Sequence, residues 1–204
     1  MGLEHLMYPV VRQGKKTMAC WAACLSWYAK AVRHLNFSME EIANRYAHLM
    51  DAPKNGNMIG GMGDAQRAQM LRDPIWQLDY SGSNRDFIDQ DIKMFMSSGP
   101  TLFAYCDKEL GESGGSHMNV IVAKIENSDQ YKVMDPDYGE YQIRNLMYYT
   151  QNSTKFHLAS MRVTSVSVGW LNKSPTPDEL IEKQLRVRGE TFAPDPHFSA
   201  SKYY

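Results

Sequence analysis

Gln13-Gly14-Lys15-Lys16-Thr17-Met18-Ala19-Cys20-Trp21-Ala22-Ala23-Cys24-Leu25 is the stretch on which the fold of this chain turns. Alanines at 22, 23, 29 and 31 favour a helix over 20–35, and Leu25, Trp27, Tyr28 and Val32 give it an apolar face. Cys20 then stands at the helix start, where backbone N–H groups without helical partners and the helix dipole favour an anion. Cys24 lies one turn deeper, without that help, and reads as a small buried apolar residue. A cysteine alone says little. Its place at the head of a helix is what draws attention to Cys20.

Outward from this helix, an extended N-terminal arm precedes it and a second helix follows over 38–50. Ser38 with Glu41 three residues on makes a capping box at its start. Residues 51–63, rich in Gly, Asn and Pro, read as a surface loop. A short helix over 64–72 leads through Pro74 to a strand over 76–80. Ser83 or Asn84 then caps a helix running to about Ser97, with Phe87, Ile88, Ile92 and Phe95 near one face.

Gly99-Pro100 ends that helix, and the pattern turns to strands over 101–106, 117–125, 131–135, 141–143 and 156–168. A glycine-rich loop over 107–116 precedes His117, turns fall at 127–129 and 136–139, and a helical piece lies near 144–149. Helices first and antiparallel strands second make an α+β arrangement. Beyond Trp170, Thr176-Pro177-Asp178-Glu179 starts a further helix that ends at Gly189, and the last residues read as a poorly ordered tail or a partner-docking segment. The expected division is a catalytic domain over 1–170 and a C-terminal helix and tail over 171–204.

Composition narrows the function classes. With 204 residues, 43% of them hydrophobic and 22% charged, the chain suits one sizeable core, and a net charge of -1 without a basic patch gives no means of capturing nucleic acid. No segment approaches the roughly 20 apolar residues of a membrane span. The N-terminus lacks the order of a signal peptide, so the expectation is a cytoplasmic protein or one exported by a signal-independent route. Three cysteines, Cys20, Cys24 and Cys106, fit free thiols rather than a disulfide framework or a metal site, and no cofactor is expected. The 14 methionines read as core filling.

A thiol hydrolase needs a thiolate, a base, an orienter for the base and donors for the oxyanion. Among six histidines, His34 and His48 read as surface residues in helices, His5 and His197 lie near the termini, and no acid follows His157 on a neighbouring strand. His117 differs, because it opens an apolar strand and the next strand ends in Asp135-Pro136. That carboxylate can reach the far nitrogen of the imidazole and fix its tautomer. Gln13, seven residues before Cys20, is the candidate oxyanion donor.

In this order the residues resemble a family. Gln13 followed by Cys20-Trp21-Ala22-Ala23 is similar to the nucleophile region of papain-like cysteine peptidases. Gly114-Gly115-Ser116-His117-Met118-Asn119-Val120-Ile121-Val122 resembles their histidine strand, and Gly99-Pro100-Thr101-Leu102 the strand before it. Val133-Met134-Asp135-Pro136-Asp137-Tyr138-Gly139-Glu140 resembles the Asp-Pro strand of the compact bacterial branch, which includes bacteriocin-leader peptidases and avirulence-effector proteases. Ala19 stands where plant and lysosomal members have Ser before the cysteine, and Asp135 where they have Asn.

The resemblance, over about 10–166, implies a papain-like α+β fold with the nucleophile helix packed on an antiparallel sheet. It implies hydrolysis of a peptide bond in a protein substrate through a thioester, with Cys20 as nucleophile, His117 as base, Asp135 as orienter and Gln13 as oxyanion donor. The same residue types serve transglutaminases, arylamine acetyltransferases and peptidoglycan amidases, and a non-catalytic papain-fold binding module is the alternative outside enzymes. The bacterial-branch motifs and the tail further raise the expectation of a delivered effector or toxin, held in check by a cognate inhibitor or immunity protein.

Overall fold

A computed structural model describes residues 3–14, 18–52, 59–83, 89–107 and 116–161. The chain divides into a unit Met1–Val163 and a unit Thr164–Tyr204, and the second, with the expected C-terminal helix and tail, lies outside the described residues.

The arm is not wholly extended: a 3-10 turn, Leu3–Met7, comes first, with its His5 Nδ1 2.9 Å from the Ala31 carbonyl. Helix α1 spans Cys20–Arg33. It stops at His34, whose left-handed backbone (φ 55°) turns the chain so that the Leu35 N–H reaches the Ala29 carbonyl at 2.9 Å. Helix α2, Met39–Arg45, begins with the expected capping box: the Ser38 N–H donates to Glu41 at 2.7 Å and the Glu41 N–H to the Ser38 hydroxyl at 3.1 Å. The second half of the expected helix tightens into a 3-10 turn, Ala47–Leu49.

Helix α3, Asp64–Leu71, lies where expected. Strand β1, Leu78–Ser83, starts later than expected, because Asp73 caps a 3-10 turn over Pro74–Trp76 by accepting the Ile75 N–H at 3.0 Å. Helix α4 spans Asp89–Met96, and strands β2, Thr101–Asp107, β3, Ser116–Lys124, β4, Gln130–Met134, and β5, Gln142–Asn145, follow. Helix α5, Leu146–Asn152, leads into strand β6, Ser153–Met161.

The strands form one antiparallel sheet in the order β1-β6-β2-β3-β4-β5. Strand alternation sends apolar side chains to both faces. On one face Leu102, Ala104, Met118, Val120, Val122 and Ala159 meet α1 through Trp21, Cys24, Leu25 and Tyr28. On the other Phe103, Tyr105, Ile121, Val133, Phe156 and Leu158 pack with Ile92 and Phe95 of α4 and Tyr149 of α5. Helix α1 is buried over most of its circumference because the arm covers its outer side. Trp27 donates its indole N–H to the Tyr141 hydroxyl at 3.0 Å, which donates to the Tyr8 carbonyl at 2.5 Å.

Candidate active site

The buried Cys24 thiol donates to the Met118 carbonyl at 3.2 Å, which fixes α1 over the first residues of β3. Cys20, one turn earlier, therefore reaches past the start of that strand, where His117 stands. Among the described residues no side chain caps the N-terminus of α1, whose flanking residue is Ala19, and helix N-termini carry N–H groups without intrahelical partners. The structure brings Cys20 and His117 close enough to act on each other electrostatically.

His117 Nε2 lies 2.9 Å from Asp135 Oδ1, so Nδ1 is the ring nitrogen left to meet the thiol. Tyr105, its partner on β2, sets its ring edge-on to the imidazole at 6.0 Å and 86°. Burial works against a charged imidazole, but hydrogen bonds to Asp135 and Cys20 and their negative charges outweigh it and push His117 up to about 11. Burial raises the Asp135 carboxyl, and the hydrogen bond and charge of His117, the Arg144 guanidinium and the Asp137 N–H more than reverse this. The carboxyl is held below its ordinary value. Cys24 differs: complete burial, with the charges of Cys20 and Asp135 nearby, drives its thiol well up and keeps it neutral.

No protein-family model matches the sequence, and no curated protein is significantly similar to it. The likeness is three-dimensional. The peptidase domain of Streptococcus ComA, a bi-functional ABC transporter involved in a quorum sensing pathway, aligns with a TM-score of 0.53 and 14% identity, covering 76% of this chain and 99% of that one. The chain shares the fold of that peptidase domain. The ComA peptidase domain of Streptococcus mutans aligns at 0.44 with 11% identity, over 75% of this chain and 99% of that one. The N-terminal peptidase C39 like domain of a toxin secretion ATP-binding protein from Vibrio parahaemolyticus aligns at 0.34 with 13% identity, over 59% and 91%.

Gln13 arrives at the turn that follows β4, beside Asp135. Its backbone N–H donates to the Pro136 carbonyl at 3.0 Å, and its side-chain amide donates to the Asp137 carboxylate. Two residues with no role expected from the sequence join the site here. Arg144 donates through Nη2 to Asp135 Oδ2, and Asp137 places Oδ2 4.0 Å from His117 Nδ1. The signal for Arg144 was inverted: in β5 it is Ile143 that is exposed, at 53%, while Arg144 turns inward.

His117, Asp135 and Asp137 each bring a possible metal-ligand atom within 4.8 Å of the others. A guanidinium already occupies one Asp135 oxygen, and the other accepts from His117 and from the Asp137 N–H at 3.0 Å, so this carboxylate is committed to donors. The donor set fits a hydrogen-bonded histidine better than a cation.

A second histidine has its own partners. His157 Nδ1 lies 2.7 Å from the Tyr80 hydroxyl, and an acid does face it, from earlier in the chain: Asp64 Oδ1, 3.4 Å from Nε2 and salt-bridged to Arg67 at 2.6 Å. Burial and the Arg67 charge lower His157, the reverse of His117, and among the described residues no thiol accompanies it. His34 and His48 are exposed, as expected, while His197 and the loop over 108–115 lie outside the described residues.

Proposed function

We propose that this protein is a cysteine peptidase that cleaves a peptide bond in a protein substrate through a Cys20 thioester. The observation that carries the reading is His117 held between the Asp135 carboxylate at 2.9 Å and the Cys20 thiol, with its charged form strongly favoured. The peptidase fold shared with the ComA domain supports a peptide bond over other acyl groups.

In this mechanism Cys20 sulfur, as thiolate, attacks the carbonyl carbon, and the carbonyl oxygen takes up the negative charge. The Gln13 amide and the Cys20 backbone N–H stabilise that charge. His117 gives its Nδ1 proton to the amine nitrogen, the C–N bond breaks, and the acyl group stays on sulfur. His117 then takes a proton from water, whose oxygen attacks the thioester, the C–S bond breaks and the acid leaves, restoring the Cys20 thiolate beside protonated His117. Asp135 holds the ring and stabilises its charge throughout.

The test is mapping of new protein N-termini in a proteome treated with purified enzyme, alongside labelling by an active-site thiol probe. Cys20→Ala should abolish both signals, His117→Ala should lose at least about a hundredfold in rate, and Asp135→Ala less. New termini appearing equally with wild type and Cys20→Ala would remove the nucleophile and the proposal with it.

A further inference from the structure

The turn that leaves β4 puts two carboxylates around one imidazole. Asp135 takes Nε2, and Asp137 approaches Nδ1, on the side of the ring that meets the thiol. The placement has a topological cause. β3 and β4 pair Val120 with Met134 and Ile121 with Val133. Carried three residues past Met134, the same register sets Asp137 level with His117. Asp135 fixes the turn itself: its carboxylate accepts the Asp137 N–H at 3.0 Å and its carbonyl the Tyr138 N–H at 3.1 Å.

Onto this turn the arm pins Gln13 at two points, the backbone N–H on Pro136 and the side-chain amide on Asp137. A glutamine amide has two ends of nearly equal shape, one a pure acceptor and one a double donor. Only the NH2 end can serve an oxyanion, and nothing in glutamine itself decides which end faces the chemistry. A carboxylate can only accept, so Asp137 decides it. Because the same carboxylate lies 4.0 Å from His117 Nδ1, the NH2 group is drawn to the thiol side of the imidazole. That nitrogen is a donor at both its hydrogens, and Asp137 takes one of them.

We propose that Asp137 is the positioning residue of the oxyanion donor, holding the Gln13 amide with its NH2 end toward the Cys20–His117 pair. The inference rests on the reading of Cys20 as nucleophile. At 4.0 Å from His117 Nδ1 the Asp137 carboxylate is beyond hydrogen-bond reach of the reacting nitrogen, and it acts on the oxyanion through Gln13.

Two small reagents separate this role from others, used on the full chain with adducts mapped to Cys20 by mass. p-Nitrophenyl acetate acylates the thiolate through a tetrahedral oxyanion and expels p-nitrophenolate. Iodoacetamide alkylates it by direct displacement of iodide, with no oxyanion. Asp137→Ala should slow acylation about tenfold and Gln13→Ala about a hundredfold, each leaving alkylation within about twofold, since loss of an oxyanion donor typically reaches that scale. The double variant should be no slower than Gln13→Ala alone, because the two act as one unit. Asp137→Asn, which keeps an acceptor oxygen, should stay within about threefold of wild type.

Equal slowing of both reactions by Asp137→Ala would overturn the assignment. So would additive losses in the double variant, or an Asn variant as slow as Ala. Should Cys20→Ala consume both reagents at the wild-type rate, the nucleophile itself is misassigned and the role of Asp137 falls with it. That outcome is distinct from the other three.

Discussion

Asp135 is 1% exposed by side chain and ionised, which is tenable only because donors surround it: His117 and the Asp137 N–H on one oxygen, Arg144 on the other. Arg144 is itself nearly buried, with its guanidinium 4.5 Å above the Tyr148 ring, so neither charge is screened by water. Removing one partner strands the other. Arg144→Met should therefore cost about 3 kcal/mol in urea unfolding, the scale of a broken buried pair. It should also move the acid limb of activity to higher pH. The sign follows from the cause: the guanidinium helps hold the carboxyl low, and without it Asp135 protonates earlier as pH falls and releases the imidazole. An unchanged acid limb would show that Arg144 serves only packing.

Helix α1 carries both described thiols, and its packing sets them in different surroundings. Cys24 is fully buried against β3 with its S–H on the Met118 carbonyl, whereas Cys20 stands at the end of the helix beside a charged imidazole. Cys24→Ala should cost about 1 kcal/mol, a fall in melting temperature of roughly 2–4 °C at this size, while labelling of Cys20 keeps its wild-type rate. Loss of labelling would mean that the second thiol sets the position of the first. Signals confined to a few residues were legible in the sequence: the Ser38–Glu41 box, the Gly99-Pro100 stop and the turns before β4 and β5. The helix bearing Cys20 and the strand opened by His117 were legible for the same reason. Strand order was not, because β6 enters between β1 and β2 and no local pattern encodes partners so far away in the chain, Leu78 with Met161 or Tyr105 with Phe156. Arg144 and Asp137 escaped likewise, since a charged residue in an edge strand or beside a proline reads as solvated until the fold shows what it faces.

At the scale of the whole molecule the site is also a joint. The arm brings Gln13, α1 brings Cys20, and the β3–β4 pair brings His117 and Asp135, so the charge on His117 links three stretches of chain. Its contribution to stability has a definite pH window. In the folded protein His117 keeps its proton up to about 11, while the unfolded chain releases it near the ordinary value of 6.5. Between those values the folded state binds more protons than the unfolded one, so stability from this group falls as pH rises. It is fully present below about 6.5 and gone above about 11. Wild type and His117→Gln, unfolded in urea across that range, isolate the term by difference. The advantage of wild type should be greatest near pH 6 and shrink steadily toward pH 11, by at most about 1.4 kcal/mol per pH unit for one proton. A difference that stays flat, or grows with pH, would show that His117 is neutral in the folded protein, and the ion pair on which the proposed chemistry depends would be absent.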